Sequence, residues 1–572
     1  MSDVLTYLDT ADRLLGSFPT RQSIAGSPKL PIRRTVKIRV DRTIPFEFIG
    51  KWIPTFCELW GAEVRFDYSD YDSALSGIGG DGQADVYFIW LDWRIYRKSM
   101  SPIEAADWLM ERIAHLRGKT NHTIWVNNWP DAMDIGDQLF DFRIVATERG
   151  WMRKLNAHLA DRIENAAGCG LVDLAGLAQE IEGSFFDDRN EAISNYPFSD
   201  QATIHMARHL GVHLLPAVVM PRLKAIALDL DDTLYRGVLG EEGSGGVQLS
   251  EGHYALQKLL LKLKQSGILL SICSRNEEED VKELFESRDD FLLKWTDFAA
   301  VCANWQPKAD NFKQLVRIIN IDPSAFLFLD DNSVELMKMA AAWPEVRLLR
   351  ADREGTMTMN KLCHFPGLYQ IHPDGEASSR THDIQANQKR ERMKQGASGY
   401  DEYLENLKMV VSVYENEPSH AGRLYELSRK TNQFNLALRR MTETEAQEVM
   451  DSENYVTLTI RLQDLLSDSG LIGAFVCRLE GRHARVLETL FSCRALGREI
   501  ETVSFACLLE ILASRGVERV TIDATEGPRN RPARDWLNRF VPDASDPVFL
   551  SDLLAAVKSQ CLEHPAMMEV IS

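Results

Sequence analysis

Residues 224–234 read KAIALDLDDTL, an apolar run that leads into two carboxylates, Asp229 and Asp231. A short run that is apolar on both faces is typical of a buried parallel strand, and the helical pattern and second apolar run in residues 254–273 continue an α/β order. Side chains two residues apart point the same way in extended backbone, so both carboxylates can reach one ligand. The stretch therefore predicts an α/β domain with a site at the C-terminal ends of parallel strands.

Three polar groups follow later apolar strands in the same part of the chain. Ser274 follows ILLSIC, Lys308 ends NWQPK, and Asp330 follows AFLFL with Asp331 beside it. A D-x-D pair alone is common in solvated loops. The ordered set, however, combines a nucleophile, an adjacent general acid and groups that offset phosphate charge, so it predicts a phosphoryl-transfer site.

The composition limits the class of protein. The formal net charge of −19 disfavours non-specific binding to nucleic acid or anionic membranes, because both require a basic surface. The first residues lack a signal-peptide pattern, and no run reaches the roughly 18 to 20 apolar residues of a membrane span. The nine cysteines form no CxxC pair. We expect a cytoplasmic protein without a zinc site or a disulfide framework.

Changes in pattern divide the chain into five segments. Residues 1–30 contain an amphipathic helix and a connection, and residues 31–218 alternate strands and helices as a parallel α/β domain does. Residues 219–373 form a second α/β domain, residues 374–408 a solvated helix and polar linker, and residues 409–572 a mixed α+β domain. The expected fold class is a multidomain α/β protein.

The motifs D-L-D-D-T, S-R-N, Lys308 and D-D-N resemble those of haloacid-dehalogenase-type (HAD) phosphotransferases. The resemblance implies that Asp229 attacks phosphorus and forms an aspartyl-phosphate. It implies that Asp231 protonates the leaving oxygen and then activates water. It also implies Mg²⁺, bound by the side chains of Asp229 and Asp330 and by the main-chain carbonyl of Asp231.

The same resemblance assigns phosphate contacts and the size of the cap. Ser274 and Lys308 are expected to hold the phosphoryl oxygens, and the other expected phosphate- or substrate-binding residues are Thr233, Arg275, Asn276 and Asn332. Some 40 residues separate Asp231 from Ser274, enough for one loop and one helix. We therefore expect a Rossmann-like HAD domain with a minimal cap, open to a bulky or protein-borne substrate.

A narrower resemblance, to the FkbH-like proteins of HAD subfamily IIIC, covers residues 220–540. The stretches that carry it are LDLDDTLYRGVLGEEG, ICSRNEEED, NWQPKADN, FLFLDDNSVE, SRKTNQFNLALRR, SDSGLIG and FSCRALGREIE. This sequence departs from the family pattern at Asp232, where Asn is usual, at Tyr235-Arg236, where Trp-Gly is usual, and at Arg275, where Lys is common. The departures leave the Asp, Ser and Lys residues of the site in place.

The FkbH-like resemblance implies a function. Members of that family take a glyceryl group from 1,3-bisphosphoglycerate, remove its phosphate and load glycerate as a thioester on an acyl carrier protein of polyketide assembly. Cys273, beside Ser274, and Cys493 are candidates for a thiol on the enzyme. A buried structural thiol is the equal alternative for Cys273, because reactivity requires exposure and a lowered pKa.

The C-terminal region resembles the acetyltransferase (GNAT) fold. Its order of VLETLFS, CRALGREIE, TVSFACLLEILASRG and RVTIDA matches the strand, R-x-x-G loop, helix and strand that hold a pyrophosphate at a helix N-terminus. Arg494, Gly497 and Arg498 are the expected contacts for coenzyme A or for the phosphopantetheine of a carrier protein.

The N-terminal α/β region resembles an SGNH-hydrolase-like domain. The serine expected after the first strand is missing, since Asp41 and Thr43 stand there, and Asn128 and His205 align only loosely with hydrolase positions. We interpret residues 31–218 as a noncatalytic scaffold or docking domain.

Two alternatives remain for the whole chain. One is a phosphatase for another small phosphorylated molecule, joined to a coenzyme A-dependent N-acyltransferase. The other is a binding scaffold with a degenerate HAD site, which leaves the complete set of site residues without a purpose.

Overall fold

The computed structural model describes residues 2–81, 83–131, 147–369, 380–397, 399–431, 433–492, 495–541, 546–561 and 564–571. The chain divides into two compact units, Met1–Ser378 and Ser379–Ser572. In these described ranges, no helix has both the length and the apolar character needed to cross a membrane. The predicted multidomain α/β organisation is confirmed by three separate sheets, two of which are entirely parallel.

The first parallel sheet has five strands in the order β2-β1-β3-β4-β5. Its strands are β1 Arg34–Arg42, β2 Ala62–Tyr71, β3 Val86–Trp90, β4 Thr123–Asn127 and β5 Cys169–Val172. All of β3 is buried, as its apolar run predicts for a central strand covered on both faces. The apolar stretch RIVAT, residues 143–147, has the pattern of a strand, but it lies outside the described residues except for Thr147. Strand β5, with four residues, is too short to be recognised from its pattern.

Several helices of this part of the chain begin at a capping side chain. Ser101 and Glu104 form a capping box at the start of α5, and Pro102 occupies its first turn. The helices are α1 Ser2–Leu15, α2 Arg21–Ala25, α3 Glu47–Gly50, α4 Ile53–Glu58, α5 Pro102–Arg117, α6 Glu148–Glu164, α7 Leu174–Gln179, α8 Asp188–Ser194, α9 Asp200–His209 and α10 Leu215–Val219, with a π-helical turn at Leu210–Leu214.

The second parallel sheet has the order β10-β9-β6-β7-β8. Its strands are β6 Ala225–Leu228, β7 Leu269–Ser274, β8 Phe298–Ala303, β9 Phe326–Asp330 and β10 Arg347–Arg350. The central strands β6 and β9 are fully buried, which explains their unbroken apolar sequences. The helices are α11 Leu239–Gly246, α12 Glu251–Gln265, α13 Glu278–Ser287, α14 Lys308–Ile319, α15 Ser333–Ala342 and α16 Thr356–Cys363.

The N-terminal helix α1 packs against the second sheet. Arg350 of β10 forms ion pairs with Asp9 at 2.7 Å and with Asp12, and the buried Lys361 of α16 donates to Asp12 at 2.5 Å. Helix α1 is therefore joined to the second α/β region by packing and charge, whereas Arg21 and Lys29 pair with Asp200 and Glu58 of the first region.

The second unit has a mixed sheet in the order β17-β16-β15-β14-β13-β11-β18, with β12 paired to β15. Strands β11, β13, β14 and β15 pair antiparallel and β15 pairs parallel with β16, as predicted for an α+β domain. The strands are β11 Val410–Glu415, β12 Phe434–Asn435, β13 Tyr455–Gln463, β14 Asp468–Glu480, β15 His483–Phe491, β16 Arg519–Ile522, β17 Val548–Phe549 and β18 Met567–Ile571. The helices are α17 Arg380–Gly396, α18 Tyr400–Leu407, α19 Ala421–Lys430, α20 Glu443–Asp451, α21 Ile500–Ser514, α22 Arg531–Leu537 and α23 Leu550–Cys561.

Helix α17 occupies the segment that the sequence presents as solvated. The helix itself is confirmed, but Asp383, Ala386 and Arg390 on it are buried. Arg390 makes a two-bond contact, at 2.8 Å each, with the buried Asp464. A polar sequence can therefore cover a buried face when its charges are paired, which composition alone does not reveal.

Glu488 is a buried carboxyl group in the middle of β15. Its side chain is fully buried, and neither of its oxygens has a hydrogen-bond partner among the described residues. Burial raises the pKa of Glu488 from 4.5 to about 8, although Arg439 and Arg440 act in the opposite direction. The group is therefore expected to be uncharged at neutral pH.

We expect Glu488→Gln to remove a pH-dependent loss of stability. Between pH 4.5 and about 8 the unfolded chain has lost a proton that the folded protein retains, so the free energy of unfolding falls as the pH rises through this window. The fall amounts to on the order of 5 kcal/mol, and glutamine, which does not titrate, cannot show it. Calorimetric unfolding from pH 5 to 9 measures this slope, with the exposed Glu448→Gln as control. Parallel curves for Glu488→Gln and the parent would contradict the prediction.

Candidate active site

The predicted site residues converge because they follow adjacent parallel strands. Asp229 comes directly after β6, Ser274 ends β7, and Asp330 ends β9. Strand β6 lies between β9 and β7, so these three side chains stand side by side at one edge of the sheet. Lys308 starts α14, after the neighbouring strand β8.

Lys308 joins the two buried aspartates. Its Nζ lies 2.8 Å from Asp229 Oδ1 and 2.6 Å from Asp330 Oδ2, and all three side chains are at most 7% exposed. Burial alone would lower the pKa of Lys308, but the charges of Asp229 and Asp330 outweigh it and raise the pKa. Lys308 is therefore a fixed ammonium at this edge of the sheet.

Asp229 is also held by neutral donors. Ser274 Oγ donates to Asp229 Oδ1 at 2.8 Å, and Asn276 Nδ2 donates to Ser274 Oγ at 3.0 Å. Because Ser274 and Asn276 are buried, these bonds are protected from competition with water. The predicted nucleophile is thus oriented by residues of the S-R-N motif.

Asp231 lies at the more open side of the site, half-buried. Its Oδ1 accepts hydrogen bonds from Tyr235 Oη at 2.7 Å and Leu239 N at 3.0 Å, and its Oδ2 accepts one from Asn276 Nδ2 at 3.2 Å. Burial raises the pKa of Asp231, although these hydrogen bonds act against the shift. A raised pKa favours the protonated form that a general acid requires.

Three carboxylates form a possible cation site. Oxygens of Asp229, Asp330 and Asp331 lie within 4.8 Å of one another. Burial, followed by the charge of Asp229, raises the pKa of Asp330 to about 7 and that of Asp331 to about 6. Carboxylate oxygens are the ligands that Mg²⁺ prefers, so this donor set fits the magnesium that the motifs imply.

The other predicted phosphate contacts differ in their surroundings. Thr233 is fully buried, with its Oγ1 unbonded among the described residues. Arg275 is exposed and lies 3.2 Å from Glu335. The Asn332 side chain accepts from Val334 N and so caps α15, while its backbone N–H donates to Asp330 at 2.9 Å. Arg275 is the one charged side chain among these three residues, and it is exposed to solvent.

The segment between Asp231 and Ser274 is entirely described. It contains α11 and α12, with an isolated bridge between Arg236 and Gln248. Gly243 interrupts α11 with φ of +69°, a conformation that glycine adopts without strain. The part of this segment that could act as a cap over the site is thus the short, interrupted helix α11.

Cys273 is packed inside the domain. It is fully buried, and its Sγ lies 3.5 Å from the main-chain oxygen of Lys308. Burial raises the pKa of Cys273 well above its ordinary value, so the thiol remains protonated. Both features favour the structural alternative over a thioester carrier, since the thiolate is the nucleophile.

The predicted pantetheine contacts lie only partly within the described chain. Cys493 and Arg494 lie outside the described residues. Gly497 has φ of +79° and its carbonyl accepts from Tyr400 Oη at 2.9 Å. The Arg498 side chain is 2% exposed and lies 2.6 Å from Asp464, so a phosphate would have to compete with that carboxylate for it.

The N-terminal positions that loosely match a hydrolase are engaged in structural contacts. Asp41 is buried, accepts from Gly79 N at 2.8 Å and pairs with Arg39 at 3.0 Å. Asn128 donates to Asp173 at 2.6 Å, and His205 lies 2.9 Å from Glu180. Each group therefore has a partner that holds it in place.

Sequence reasoning missed two residues of the site. The sequence shows Asp331 beside Asp330 in the D-D-N motif, but the predicted metal ligands do not include it. In the sequence Tyr235 is only a departure from the FkbH-like pattern, yet its hydroxyl donates a hydrogen bond to Asp231. That contact depends on how the turn after Asp231 folds, which spacing does not determine.

Comparisons with known proteins give the following. Neither a protein-family model nor a curated protein matches the chain. Among solved structures, the N-terminal part of a Bacteroides fragilis protein containing a phosphatase domain, complexed with magnesium, is 21% identical, with a TM-score of 0.49 over 60% of this chain and 95% of that one. The Escherichia coli ribosomal-protein-S18-alanine N-acetyltransferase is 12% identical, with a TM-score of 0.17, and the match covers 20% of this chain and 66% of the acetyltransferase chain. The PaiA N-acetyltransferase of Thermoplasma acidophilum, in complex with coenzyme A, is 11% identical, covering 24% and 96%, with a TM-score of 0.19.

We expect Mg²⁺ to stabilise the first unit through the three carboxylates. A ligand that binds only the folded state adds about 2.7 kcal/mol to its stability at a hundred times its Kd. Thermal unfolding with and without Mg²⁺ should show a rise in Tm for the parent and little rise for Asp330→Asn. Asp310→Asn, an exposed position in α14, serves as control and should respond as the parent does. Equal shifts in all three proteins would refute the site.

Proposed function

We propose that this protein is a bifunctional glyceryltransferase and phosphatase. It takes the glyceryl group of 1,3-bisphosphoglycerate, removes the phosphate and loads glycerate as a thioester on an acyl carrier protein in polyketide-type biosynthesis. The contact of Lys308 with Asp229 and Asp330, at 2.8 and 2.6 Å, is the observation that supports the phosphoryl-transfer half. The glyceryl half is supported by the FkbH-like motifs in residues 220–540.

The residues divide the phosphatase reaction as follows. Asp229 attacks phosphorus as the bond to the leaving oxygen breaks, and Asp231 gives its proton to that oxygen. Water then attacks the aspartyl-phosphate while Asp231 takes its proton, which releases phosphate and restores Asp229. Lys308 and Ser274 hold the nucleophile and offset the charge on the phosphoryl oxygens.

Mg²⁺ bound by Asp229 and Asp330 would neutralise phosphate and carboxylate charge together. The main-chain carbonyl of Asp231 completes the proposed protein ligands, and Asp331 lies near enough to take part. The C1 acyl phosphate of the substrate is already activated for thiol attack, whereas the C3 phosphoester requires this site.

The rest of the chain is assigned around that site. We assign residues 219–373 to a HAD domain with a minimal cap and residues 409–572 to a GNAT-like domain that receives phosphopantetheine or coenzyme A near Arg494, Gly497 and Arg498. We assign residues 374–408 to the linker between the HAD and GNAT-like domains. Residues 1–30 are a leading segment, and residues 31–218, which follow it in the sequence, are assigned to an SGNH-like scaffold. The paired state of Asp41 supports a noncatalytic role for that scaffold. Cytoplasmic location completes the proposal.

We expect Asp229→Asn to abolish the gain of a glyceryl group, or to arrest it as phosphoglyceryl, because the variant lacks the attacking carboxylate. The rate of phosphate release should fall at least about 10³-fold. The protein, Mg²⁺, 1,3-bisphosphoglycerate and holo carrier proteins are incubated together, and the carrier is measured by intact-mass spectrometry. Asp232→Asn is the matched control, since it keeps the oxygen that accepts from Gly237 N at 2.9 Å and should remain active.

Two results would overturn the glyceryl assignment. The first is the absence of any mass gain with several carriers, together with phosphate release from sugar phosphates. That outcome favours a phosphatase of another small molecule joined to a coenzyme A-dependent N-acyltransferase. The second is an unchanged mass gain in Asp229→Asn, which would remove this site from the reaction.

We expect Cys273→Ala to load the carrier at a rate within about threefold of the parent, because a buried, protonated thiol is a poor acyl acceptor. The same mass measurement follows the loading, and phosphate release serves as the control for folding. Loss of loading with normal phosphate release would instead identify Cys273 as the acyl carrier.

A further inference from the structure

Tyr235 makes a contact that the proposed reaction does not yet use. Its side chain is fully buried, and its Oη donates to Asp231 Oδ1 at 2.7 Å. The Tyr235 ring packs against the Phe291 ring, with centroids 6.0 Å apart, and this contact helps to hold the tyrosine in place. Residue 235 is also a position at which this sequence departs from the FkbH-like pattern.

The turn after Asp231 brings a second donor to the same oxygen. The backbone N–H of Leu239 donates to Asp231 Oδ1 at 3.0 Å, and Asp231 and Tyr235 form an isolated bridge. Two donors engage both lone pairs of Oδ1, whereas Oδ2 accepts one longer bond, of 3.2 Å, from Asn276. A proton on the carboxyl group is therefore favoured on Oδ2, because Oδ1 already faces two hydrogens.

We propose that Tyr235 is a positioning residue that makes Asp231 Oδ2 the oxygen that delivers the proton. The inference rests on the proposed phosphatase function and deepens it. The proton moves from Oδ2 to the leaving oxygen, which keeps the electron pair of the broken bond to phosphorus, while Asp229 forms the new bond to phosphorus. In the second half, Oδ2 takes the proton of the attacking water.

This role has a consequence for the choice of substrate. An alkoxide leaving group needs a proton as it departs, whereas p-nitrophenolate is stable without one. Loss of the Tyr235 hydroxyl lets the Asp231 carboxyl group rotate, so the proton is no longer held toward the leaving group. Loss of the Tyr235 hydroxyl should therefore slow departure of the leaving group strongly for alkyl phosphates and only slightly for aryl phosphates.

The test compares Tyr235→Phe with the parent on 3-phosphoglycerate and on p-nitrophenyl phosphate, both with Mg²⁺. We expect kcat/KM on 3-phosphoglycerate, which depends only on the steps up to departure of the leaving group, to fall about 10- to 100-fold, and kcat/KM on p-nitrophenyl phosphate to fall less than about threefold. In an Asp231→Asn background the Phe substitution should add no further loss, because the residue it orients is gone.

The outcomes separate the two proposals. If the parent releases phosphate from neither compound, the phosphatase function fails. If the parent is active but Tyr235→Phe lowers kcat/KM equally for both substrates, or lowers it further in the Asp231→Asn protein, the positioning role is overturned. Phenylalanine keeps the buried ring, and circular dichroism checks the fold. Should Tyr235→Phe not fold, Tyr235→Leu carries the same comparison.

Discussion

The site at the edge of the second parallel sheet depends on one buried ammonium that lies between two buried carboxylates. Lys308 lies 2.8 Å from Asp229 and 2.6 Å from Asp330, while Asp331 adds a third carboxylate nearby. Buried charges are tolerated only when they are paired, and here one cation faces three potential anions. Burial and mutual repulsion therefore raise the pKa of Asp330 to about 7. A divalent cation bound at these carboxylates would offset the excess negative charge.

This charge cluster depends on the order of the strands. Residues 229, 274, 308 and 330 are distant in sequence, and they meet because β9, β6, β7 and β8 are neighbours in one parallel sheet. The buried apolar strands hold that order, so the core of the domain sets the distances in the site. Hydrogen bonds from Ser274 and Asn276 then orient the carboxylates within it. Packing places these groups, and polar contacts adjust them.

The second unit contains a buried carboxylate that is paired with arginines and a buried carboxyl group that has no partner among the described residues. Asp464 is buried between Arg390 and Arg498, and each of the three side chains is at most 5% exposed. This arrangement withdraws Arg498 from solvent and gives the polar helix α17 a buried face. Glu488, by contrast, is buried without a partner among the described residues, and it escapes the penalty by remaining protonated. In this unit the charge of Asp464 is stabilised by its arginine partners, whereas Glu488 avoids a buried charge by staying protonated.

The sequence by itself determined the two α/β regions, the mixed C-terminal domain and the set Asp229, Asp231, Ser274, Lys308 and Asp330. Apolar runs and their polar ends are local patterns, so they can be read without coordinates. Only the tertiary structure decided that α1 packs on the second sheet, that Arg498 pairs with Asp464 and that Tyr235 bonds Asp231. Those contacts depend on how turns and side chains fold together. Spacing shows which residues can meet, and packing selects which of them do.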